Sequence, residues 1–293
     1  MQDIDLLHET KIHGELSFPY TVYKGNIPEY MLFFPLHWHD EMEIIHITRG
    51  RGIITVQSQS YYVETDDIIL ISPQMMHSIA QYDNSEMEYT NVLFRFSLLH
   101  YSEHDICYEK YLKSIYCHEK LPPFHVSHDS ELNSLLRPHL MYLIENRKKS
   151  YTEHELMIKS NLFAIMHYIC QYCTDANHED LLLRNHYEKL KNVILHIHAN
   201  YSQDISVYDA AKICGFSESH FMKLFRDLTG KSYIKYVVGF RLEIAAQQIV
   251  ETDRKILRIA EDCGFRSMSY FARAFRKKYG MTPSAYREQK QKK

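Results

Sequence analysis

One segment of the sequence occurs twice near the C-terminal end of the chain. The first copy, AKICGFSESHFMKLFRDLTGKSYIKY, occupies Ala211–Tyr236, and the second, AEDCGFRSMSYFARAFRKKYGMTPSAY, occupies Ala260–Tyr286. The first matched residues lie 49 positions apart, and after one extra residue in the second copy the matches lie 50 apart. A slip of one residue inside a turn is compatible with two copies of one structural unit.

Each copy has the pattern of two short helices joined by a tight turn. Gly215 is placed to end the first helix, because a positive φ is cheap for glycine, and Ser217 is placed to cap the second. Apolar residues before the turn have the spacing of one helical face, and they are Val207, Ala210, Ala211 and Cys214. Two helices joined by a glycine-containing turn predict a helix-turn-helix unit in each copy.

A pair of helical hairpins in a solenoid or an interaction bundle would also fit this pattern. A solenoid needs about three repeats to bury its core, and only two copies occur. The outward face of the second helix is also rich in residues that contact phosphates and base edges. In the second copy it includes Arg266, Ser267, Ser269, Arg273, Arg276 and Lys277. The pattern therefore favours binding of double-stranded DNA.

The charge distribution separates the two halves of the chain. The whole protein of 293 residues has a formal net charge of −3. Residues 184–293 contain 21 Lys and Arg against 11 Asp and Glu, a net charge of +10, whereas residues 1–183 contain 13 against 26, a net charge of −13. This length predicts two domains, and the asymmetry indicates that the C-terminal one meets a polyanion.

Composition excludes several classes of protein. A hydrophobic fraction of 45% and a charged fraction of 24% argue against disorder and fibrous repeats. We find neither a bilayer-length apolar run nor a signal peptide at the N-terminus, which argues against a membrane partner and against a secreted adhesin. Six scattered cysteines do not indicate a disulfide framework, so we expect a cytoplasmic protein.

The C-terminal third resembles the AraC/XylS family of transcription regulators. Arg241–Arg287, RLEIAAQQIVETDRKILRIAEDCGFRSMSYFARAFRKKYGMTPSAYR, contains the family's Arg241 and Ala245, its turn and its terminal G..P..YR pattern. The resemblance extends over 187–287 and departs at Gln248, where the family usually has Leu. It implies a seven-helix domain whose two helix-turn-helix units are joined by a long helix over Tyr233–Val250. It also implies that the second helix of each unit, the recognition helix, enters successive major grooves about 34 Å apart.

The resemblance also implies which side chains contact DNA. Carried over by position, the base-edge contacts are Ser219, Met222 and Lys223 in the first unit and Met268, Ser269, Ala272 and Arg273 in the second. The phosphate contacts are expected at Ser217, Arg226, Arg266, Ser267, Arg276 and Lys277. Among these, Arg273 is the strongest candidate for reading a base, because a guanidinium can bind guanine O6 and N7 together.

The N-terminal half has the pattern of a β-rich domain over residues 15–125. Runs rich in β-branched and aromatic residues predict strands at Met42–Thr48, Ile53–Gln57, Ile68–Ser72, Ile79–Tyr82 and Glu88–Ser97. Turn signals at 49–52 and 64–67 separate them. HWHDEMEIIHITRG at 37–50 resembles the first cupin motif. PQMMH at 73–77 resembles the second motif, but it lacks that motif's glycines and has one residue fewer before the histidine. We expect a cupin-like barrel.

A constellation of polar residues in this region could bind either a small molecule or a metal. On one extended strand His37, His39 and Glu43 would point to the same side, and with His77 they form a metal-ligand set. The pattern also resembles the sensor domains of AraC-type regulators, many of which keep such residues as hydrogen-bonded groups without a metal, so we expect no cofactor and no metal. We expect an effector pocket, with a sugar-sized ligand stacking on Trp38 and polar contacts from His37, His39, Glu43, His77 or Arg95.

The predicted organisation is an α+β multidomain protein: an N-terminal cupin-like β-barrel with flanking helices and a C-terminal all-α domain with two helix-turn-helix units. Residues 1–125 form the effector-sensing domain and 126–176 a helical dimerisation segment. Residues 177–184 form a linker and 185–293 the DNA-binding domain. The apolar face of the second helix in the dimerisation segment, from Leu156 to Cys170, is wide enough to pack on the barrel and on a partner.

The leading hypothesis is a transcription regulator that binds DNA, responds to a small-molecule effector, here expected to be a carbohydrate, and acts as a homodimer. RNA polymerase is considered as a further partner. The alternative is a metal-dependent cupin isomerase or dioxygenase with an appended helical domain. Catalysis does not require two helix-turn-helix units, so the repeat argues against an enzyme.

Overall fold

The computed structural model describes residues 7–9, 11, 13–28, 33–100, 102, 104–147 and 154–291. It divides into two compact units. One is Glu9–Leu183, and the other begins at Arg184 and also includes the described residues Leu7 and His8. The boundary between Leu183 and Arg184 lies within the predicted linker. The outer ends of the predicted domains, at residues 1 and 293, and the parts of the predicted β-rich region at 29–32, 101 and 103 lie outside the described residues.

The N-terminal unit is rich in β-sheet, as the sequence predicts. Its central strand pairs with four others, so it organises both halves of the sheet. The strands among the described residues are β1 (Tyr20–Ile27), β2 (Phe33–His37), β3 (Met42–Val56), β4 (Gln59–Glu64), β5 (Ile68–Ile71), β6 (His77–Gln81), β7 (Met87–Phe94), β8 (Lys120–Leu121), β9 (His125–Val126) and β10 (Thr174–Asp175).

The long strand β3 corrects one sequence-based prediction. We expected a turn at 49–52 to separate two strands, but β3 continues through it. The register with β7 shifts between Ile47 and Arg49. Gly50 has a φ of +83°, and a Cβ at this position would lie 1.9 Å from the Glu86 carbonyl oxygen. This irregularity bends the strand, because a bulge locally increases twist. The first half of β3 therefore pairs with β5 and β7, and the second half with β4 and β6.

The two faces of β3 lie in different hydrophobic clusters. Met42 and Ile44 pack with the helices that follow the sheet, whereas Ile45 and Ile47 pack with residues of β5, β6 and β7. The side chain of Glu43 has the parity of this second, inner set. The strand therefore places one carboxylate among apolar residues, where it is 3% exposed.

Helices cover the outer face of the sheet. After the short α1 (Lys113–Tyr116), α2 (Glu131–Asn146) and α3 (His154–Tyr172) pack together and against the sheet. Ser130 caps α2 by accepting a hydrogen bond from the Asn133 amide. The apolar face predicted for α3 is only partly buried, since Leu156 and Phe163 stay 66% and 40% exposed.

The C-terminal unit is helical and its described residues contain seven helices if the first, which begins before the boundary, is counted. They are α4 (His178–Asn200), α5 (Val207–Cys214), α6 (Glu218–Thr229), α7 (Tyr233–Glu251), α8 (Ile256–Asp262), α9 (Met268–Tyr279) and α10 (Pro283–Gln291). The predicted linker at 177–184 is not an irregular segment, because α4 runs through it. None of the helices in the described part of the chain combines the length and apolar character that crossing a bilayer requires.

Both helix-turn-helix units use the same local chemistry. Gly215 and Gly264 have φ values of +67° and +82° at the turns. Ser217 and Ser267 cap the helices that follow, by accepting hydrogen bonds from the amides three residues later. These caps satisfy amide groups that have no partner inside the helix. The predicted repeat is thus a repeat of caps and turns as well as of apolar residues.

One arginine of the long helix α7 forms hydrogen bonds with the turn of the second helix-turn-helix unit and with the segment that follows α4. Arg241 donates hydrogen bonds to the carbonyls of Tyr201, Gln203 and Gly264, at 2.7, 2.6 and 3.1 Å. Three carbonyls from two separate segments therefore converge on one guanidinium, whose planar fork of donors suits this arrangement. Arg241, which is part of the family resemblance, therefore stabilises the packing of these segments.

Candidate functional sites

The recognition helices α6 and α9 present the predicted DNA contacts to solvent. Buried phenylalanines hold the opposite face of each helix: Phe221 and Phe225 in α6 and Phe271 and Phe275 in α9 are at most 1% exposed. The base-edge candidates Ser219, Met222, Lys223, Met268, Ser269 and Arg273 are all exposed, and Ala272 is half-buried. The phosphate candidates Ser217, Arg226, Arg266, Ser267, Arg276 and Lys277 are exposed as well.

The cations of α9 are available to bind an anion. Within the described residues, no carboxylate forms an ion pair with Arg273, Arg276 or Lys277. Two neighbouring cations are already paired: Arg266 lies 2.9 Å from Asp204, and Lys278 lies 2.5 Å from Glu243. The exposed Arg266 pair contributes little to stability and can open, since surface ion pairs are weak.

The structure adds two candidates that the sequence reasoning missed. His220 and Tyr270 occupy equivalent positions in the first turns of α6 and α9, 50 residues apart, and both are exposed. Each lies beside a predicted base-edge residue, Ser219 or Ser269. The repeat could have identified both residues, because positions that match between the two copies lie on the same face of their recognition helices.

In the N-terminal unit, three predicted histidines converge around one carboxylate. Ligand atoms of His37, His39 and His77 lie within 4.8 Å of one another. Oε2 of Glu43 lies 3.1 Å from Nε2 of His39 and 2.9 Å from Nε2 of His77. All four residues are at most 5% exposed. We call these four residues the histidine cluster.

The elements that form this cluster differ from the prediction. His37, His39 and Glu43 do not share one strand, because the chain leaves β2 after His37, bends, and begins β3 at Met42. Strand pairing brings the residues together instead: β2 and β6 place His37 opposite His77, and β6 also pairs with β3. The four residues named from the sequence do lie together, but the argument that they share one strand was wrong.

The charges of the cluster are set by burial and by mutual contact. Burial, with help from the nearby histidines, lowers the pKa of His37 well below its usual value. Burial would raise the pKa of Glu43, but His77 and His39 hold it well below its usual value. Burial would lower the pKa of His39, but its hydrogen bond with Glu43 outweighs this and raises that pKa. The Glu43 carboxylate is therefore ionised and His37 is neutral.

Additional acidic residues surround the cluster, and the sequence reasoning missed them. Oε2 of Glu41, which is 1% exposed, lies 3.5 Å from Nδ1 of His39. Oε1 of Glu41 accepts a hydrogen bond of 2.8 Å from Nε of Arg95. On another side, Oε2 of Glu9 lies 3.8 Å from Nε2 of His37, and Oε1 of Glu9 lies 3.5 Å from Nε2 of His13.

Two of the predicted effector contacts change role in the structure. Trp38 is 3% exposed, so its ring is enclosed by protein and offers no open face on which a sugar could stack. Arg95 binds Glu41 and lies 3.6 Å from Asp40, so it neutralises acids beside the cluster. The predicted sugar contacts form a closely packed polar cluster instead.

Comparison with known proteins identifies one domain in the N-terminal half of the chain and another in the C-terminal third. Residues 29–155 match the family model of the AraC-like ligand binding domain, and residues 210–289 match that of a helix-turn-helix domain. The HTH-type transcriptional regulator YdeC of Bacillus subtilis is 22% identical over 96% of this chain and 96% of its own. The HTH-type transcriptional activator RhaR of Mannheimia succiniciproducens is 24% identical over 98% of each chain.

A solved structure of a transcriptional regulator with an AraC-type DNA-binding domain, from Chromobacterium violaceum, is 30% identical. It aligns with 35% of this chain and 92% of its own, with a TM-score of 0.34. The two family models follow each other in one chain, and curated relatives match over nearly the full length of both partners. The chain therefore belongs to the AraC family of transcription regulators, with an AraC-like ligand-binding domain followed by a helix-turn-helix domain.

Proposed function

We propose that the recognition helices α6 and α9 enter successive major grooves of double-stranded DNA and that the N-terminal domain controls this binding through a small effector. The observation that carries the proposal is the exposed cationic face of α9. Arg273, Arg276 and Lys277 lie opposite the buried Phe271 and Phe275, on a scaffold that α6 repeats. A helix with one buried face and one cationic face suits docking in a groove lined by phosphates.

Within each recognition helix we assign two kinds of contact. Residues near the helix start, such as Ser219 in α6 and Ser269 and Arg273 in α9, face the base edges. Arg226 and Arg276, which lie almost one turn after Lys223 and Arg273, bind phosphate where the helix leaves the groove. This division follows helix-turn-helix docking, in which the N-terminal part of the recognition helix contacts bases.

We propose that the N-terminal unit also forms the homodimer. Leu156, Met157 and Phe163 of α3 are 66%, 42% and 40% exposed although the rest of the helix packs on the sheet. Exposed large apolar side chains on one helix favour association with another surface. A dimer would present four helix-turn-helix units to DNA.

The effector class follows from the histidine cluster. The sequence predicted a carbohydrate, but the enclosure of Trp38 and the close packing of the histidines favour a smaller, more polar ligand. The curated relatives are transcription regulators, which disfavours the cupin isomerase or dioxygenase alternative. We also propose a cytoplasmic location, because a regulator acts where the chromosome is.

This proposal is tested by selecting, from a random pool of double-stranded DNA, the sequences that the 293-residue protein binds. Repeated selection should enrich one sequence with two contacted segments about one helical turn apart. The logarithm of the affinity for that sequence should fall linearly with the logarithm of salt concentration, because phosphate contacts release counterions. Enrichment of no sequence, or a complex insensitive to salt, would contradict the proposed DNA-binding function.

A further inference from the structure

A cavity in the N-terminal unit belongs neither to the histidine cluster nor to the recognition helices. It lies between the C-terminal half of α3 and the chain segment that leads into α1, and its volume is about 450 Å³. We infer that this cavity binds a small organic anion whose apolar body is an aryl ring on a short chain. The inference goes beyond the proposed function, because it assigns a second ligand to the N-terminal unit and does not depend on DNA binding.

Three segments that are far apart in the sequence form the walls of the cavity. One wall is a π-helical turn over Tyr108–Leu112, whose backbone hydrogen bond spans five residues. Such turns are rare and occur frequently at functional sites. The second wall is the part of α3 from Phe163 onwards, and β8 contributes Lys120. The pairing of β8 with β10 holds this lysine in place, because Lys120 lies opposite Asp175 in the register.

The cavity has an apolar floor and aromatic side chains at its rim. Leu112 and Met166 are buried and belong to the hydrophobic cluster in which α2 and α3 pack on the sheet. Tyr111 and Phe163, from different walls, are 53% and 40% exposed. Burial raises the pKa of the Cys170 thiol, so this side chain stays uncharged and adds to the apolar lining. An aryl group can therefore pack on the floor and contact the rings at the rim.

Two lysines give the cavity a positive charge. Lys110 and Lys120 line it, and the described residues of the lining include no acidic side chain. Neither lysine forms an ion pair with a carboxylate in the part of the chain that the structure describes, whereas the neighbouring Lys113 is paired with Glu109 at 3.0 Å. Residues 1–183 have a net charge of −13, so this local excess of positive charge contrasts with the rest of the unit. It complements a ligand that carries a negative charge.

The charge of Lys120 is directed toward α3. It lies close enough to the thiols of Cys170 and Cys173 to oppose the burial that raises the pKa of each. Asp175, which is opposite Lys120 on β10, forms no ion pair with it among the described contacts. The ammonium group is therefore available at the cavity, beside the apolar lining that α3 provides.

The volume sets the size of the ligand. Pockets for small molecules measure about 300–1,000 Å³, and a cavity of about 150 Å³ holds one benzene molecule. A space of about 450 Å³ therefore accommodates an aryl ring, a short chain and a charged group. Phenylbutyrate has this size and one negative charge, and phenylbutyramide has the same size without the charge. We use these two compounds as probes.

The test follows the methyl signals of methionine by NMR in the 293-residue protein labelled at these groups. Phenylbutyrate should shift the signal of Met166 but not that of Met75, which packs with Ile45 and Ile47 in the other cluster. Its dissociation constant should be about 0.1–2 mM, as for ligands of this size, and should rise with salt because the lysines are exposed. A shift of Met75 alone, or no shift at about 10 mM, well above this range, would overturn the proposal.

Matched variants test the role of the charge. Lys110→Gln and Lys120→Gln should each weaken the binding of phenylbutyrate about two- to fivefold, the range for exposed charge pairs. Phenylbutyramide should bind more weakly than phenylbutyrate, and these variants should leave its affinity unchanged. Tyr111→Ala removes an exposed ring and should weaken the binding of both compounds.

The control is Lys113→Gln, which removes an exposed lysine of the same segment that lies outside the lining and is paired with Glu109. It should bind both compounds as the unmodified protein does. If Lys113→Gln weakened phenylbutyrate binding as much as Lys120→Gln, or if the two compounds bound equally well, the assignment of an anion to this cavity would be wrong.

A second copy of the chain is the competing occupant, because Phe163 also belongs to the proposed homodimer surface. The titration is therefore repeated at protein concentrations at which sedimentation shows monomer and dimer. Affinity for phenylbutyrate that is retained in the dimer supports a small-molecule site. Affinity that disappears on dimerisation would show that the partner copy covers the cavity and would overturn the proposal. Either result leaves the DNA-binding function, which is tested with the selected DNA, unaffected.

Discussion

The two recognition helices share a scaffold but differ in charge. Helix α6 contains two acids and two bases, with a formal net charge of zero, whereas the basic residues of α9 are unaccompanied by any acid and give it a net charge of +4. Both begin at a capping serine, end at a glycine of positive φ and bury two phenylalanines on one face. The helices therefore differ in what they present to DNA and not in how they are held.

This difference in charge indicates that the two recognition helices contribute differently to DNA binding. Cations near phosphates release counterions and supply affinity that depends little on sequence. We expect α9 to anchor the protein and α6 to contribute a larger share of contacts that depend on base identity. The pairing of Lys278 with Glu243 leaves three cations of α9 for the DNA, Arg273, Arg276 and Lys277.

The largest effect should come from the buried phenylalanines, and it should be the same in both units. Phe225→Ala and Phe275→Ala each empty a site that is 0% exposed. Each should lower the free energy of unfolding by about 3–5 kcal/mol, because the loss of a large apolar side chain leaves a cavity. Chemical denaturation followed by helical circular dichroism measures this change.

Lys277→Ala is the control for these two variants, since it removes an exposed side chain of α9. It should leave the free energy of unfolding within about 0.5 kcal/mol of the unmodified protein. If Phe225→Ala were as harmless as this control while Phe275→Ala was not, the two units would not share one scaffold.

A smaller effect should distinguish the two turns. An alanine Cβ at Gly215 would meet nothing within 4 Å, so Gly215→Ala should cost only the left-handed strain, about 1–2 kcal/mol. At Gly264 it would lie 2.8 Å from the Ser202 carbonyl oxygen and 3.0 Å from the guanidinium of Arg241. Gly264→Ala should therefore lower the thermal midpoint more than Gly215→Ala does. Equal thermal midpoints for the two variants would show that the turn at Gly264 does not pack closely against Ser202.

The smallest effect should come from the matched arginines Arg226 and Arg276. Changing either one to alanine should lower the slope of log affinity against log salt by about one, since each is proposed to bind one phosphate. Base preference should stay unchanged in both variants. Affinity measured at three salt concentrations on the selected DNA checks this, and an unchanged slope for Arg276→Ala would remove it from the phosphate contacts.

The C-terminal unit could be predicted from the sequence in detail. The connecting helix was expected at Tyr233–Val250 and is found at Tyr233–Glu251. The turns at Gly215 and Gly264 and the cap at Ser217 follow from local preferences that each residue carries by itself. Helical periodicity, caps and turn glycines act over a few residues, which is why they can be read from the chain.

The N-terminal site could be predicted in its residues but not in its construction. His37, His39, Glu43 and His77 were identified from motifs, yet their proximity depends on the pairing of β2 with β6 and of β6 with β3. Such contacts join segments far apart in the chain and leave no periodic signal. Glu9 was missed for the same reason, because its place beside His37 depends on tertiary structure.

The enclosure of Trp38 could not be predicted either. A tryptophan between two histidines is compatible with an open binding face or with a packed core, and the pattern of neighbours is the same for both. The structure shows the second arrangement, with Trp38 3% exposed. Local sequence therefore identifies the residues of the histidine cluster, whereas contacts between distant segments enclose the Trp38 ring.

The most direct test of the account compares Arg273→Ala and Arg276→Ala in titrations against the selected DNA and its single-base variants. Arg273 lies toward the start of α9, on the exposed face, so its loss should cost about 1–3 kcal/mol on the best sequence and relax the preference at one base position. Arg276→Ala should weaken binding to all variants about equally. If Arg273→Ala weakened every sequence equally, or if Arg276→Ala changed which base is preferred, the proposed placement of α9 in the major groove would be wrong.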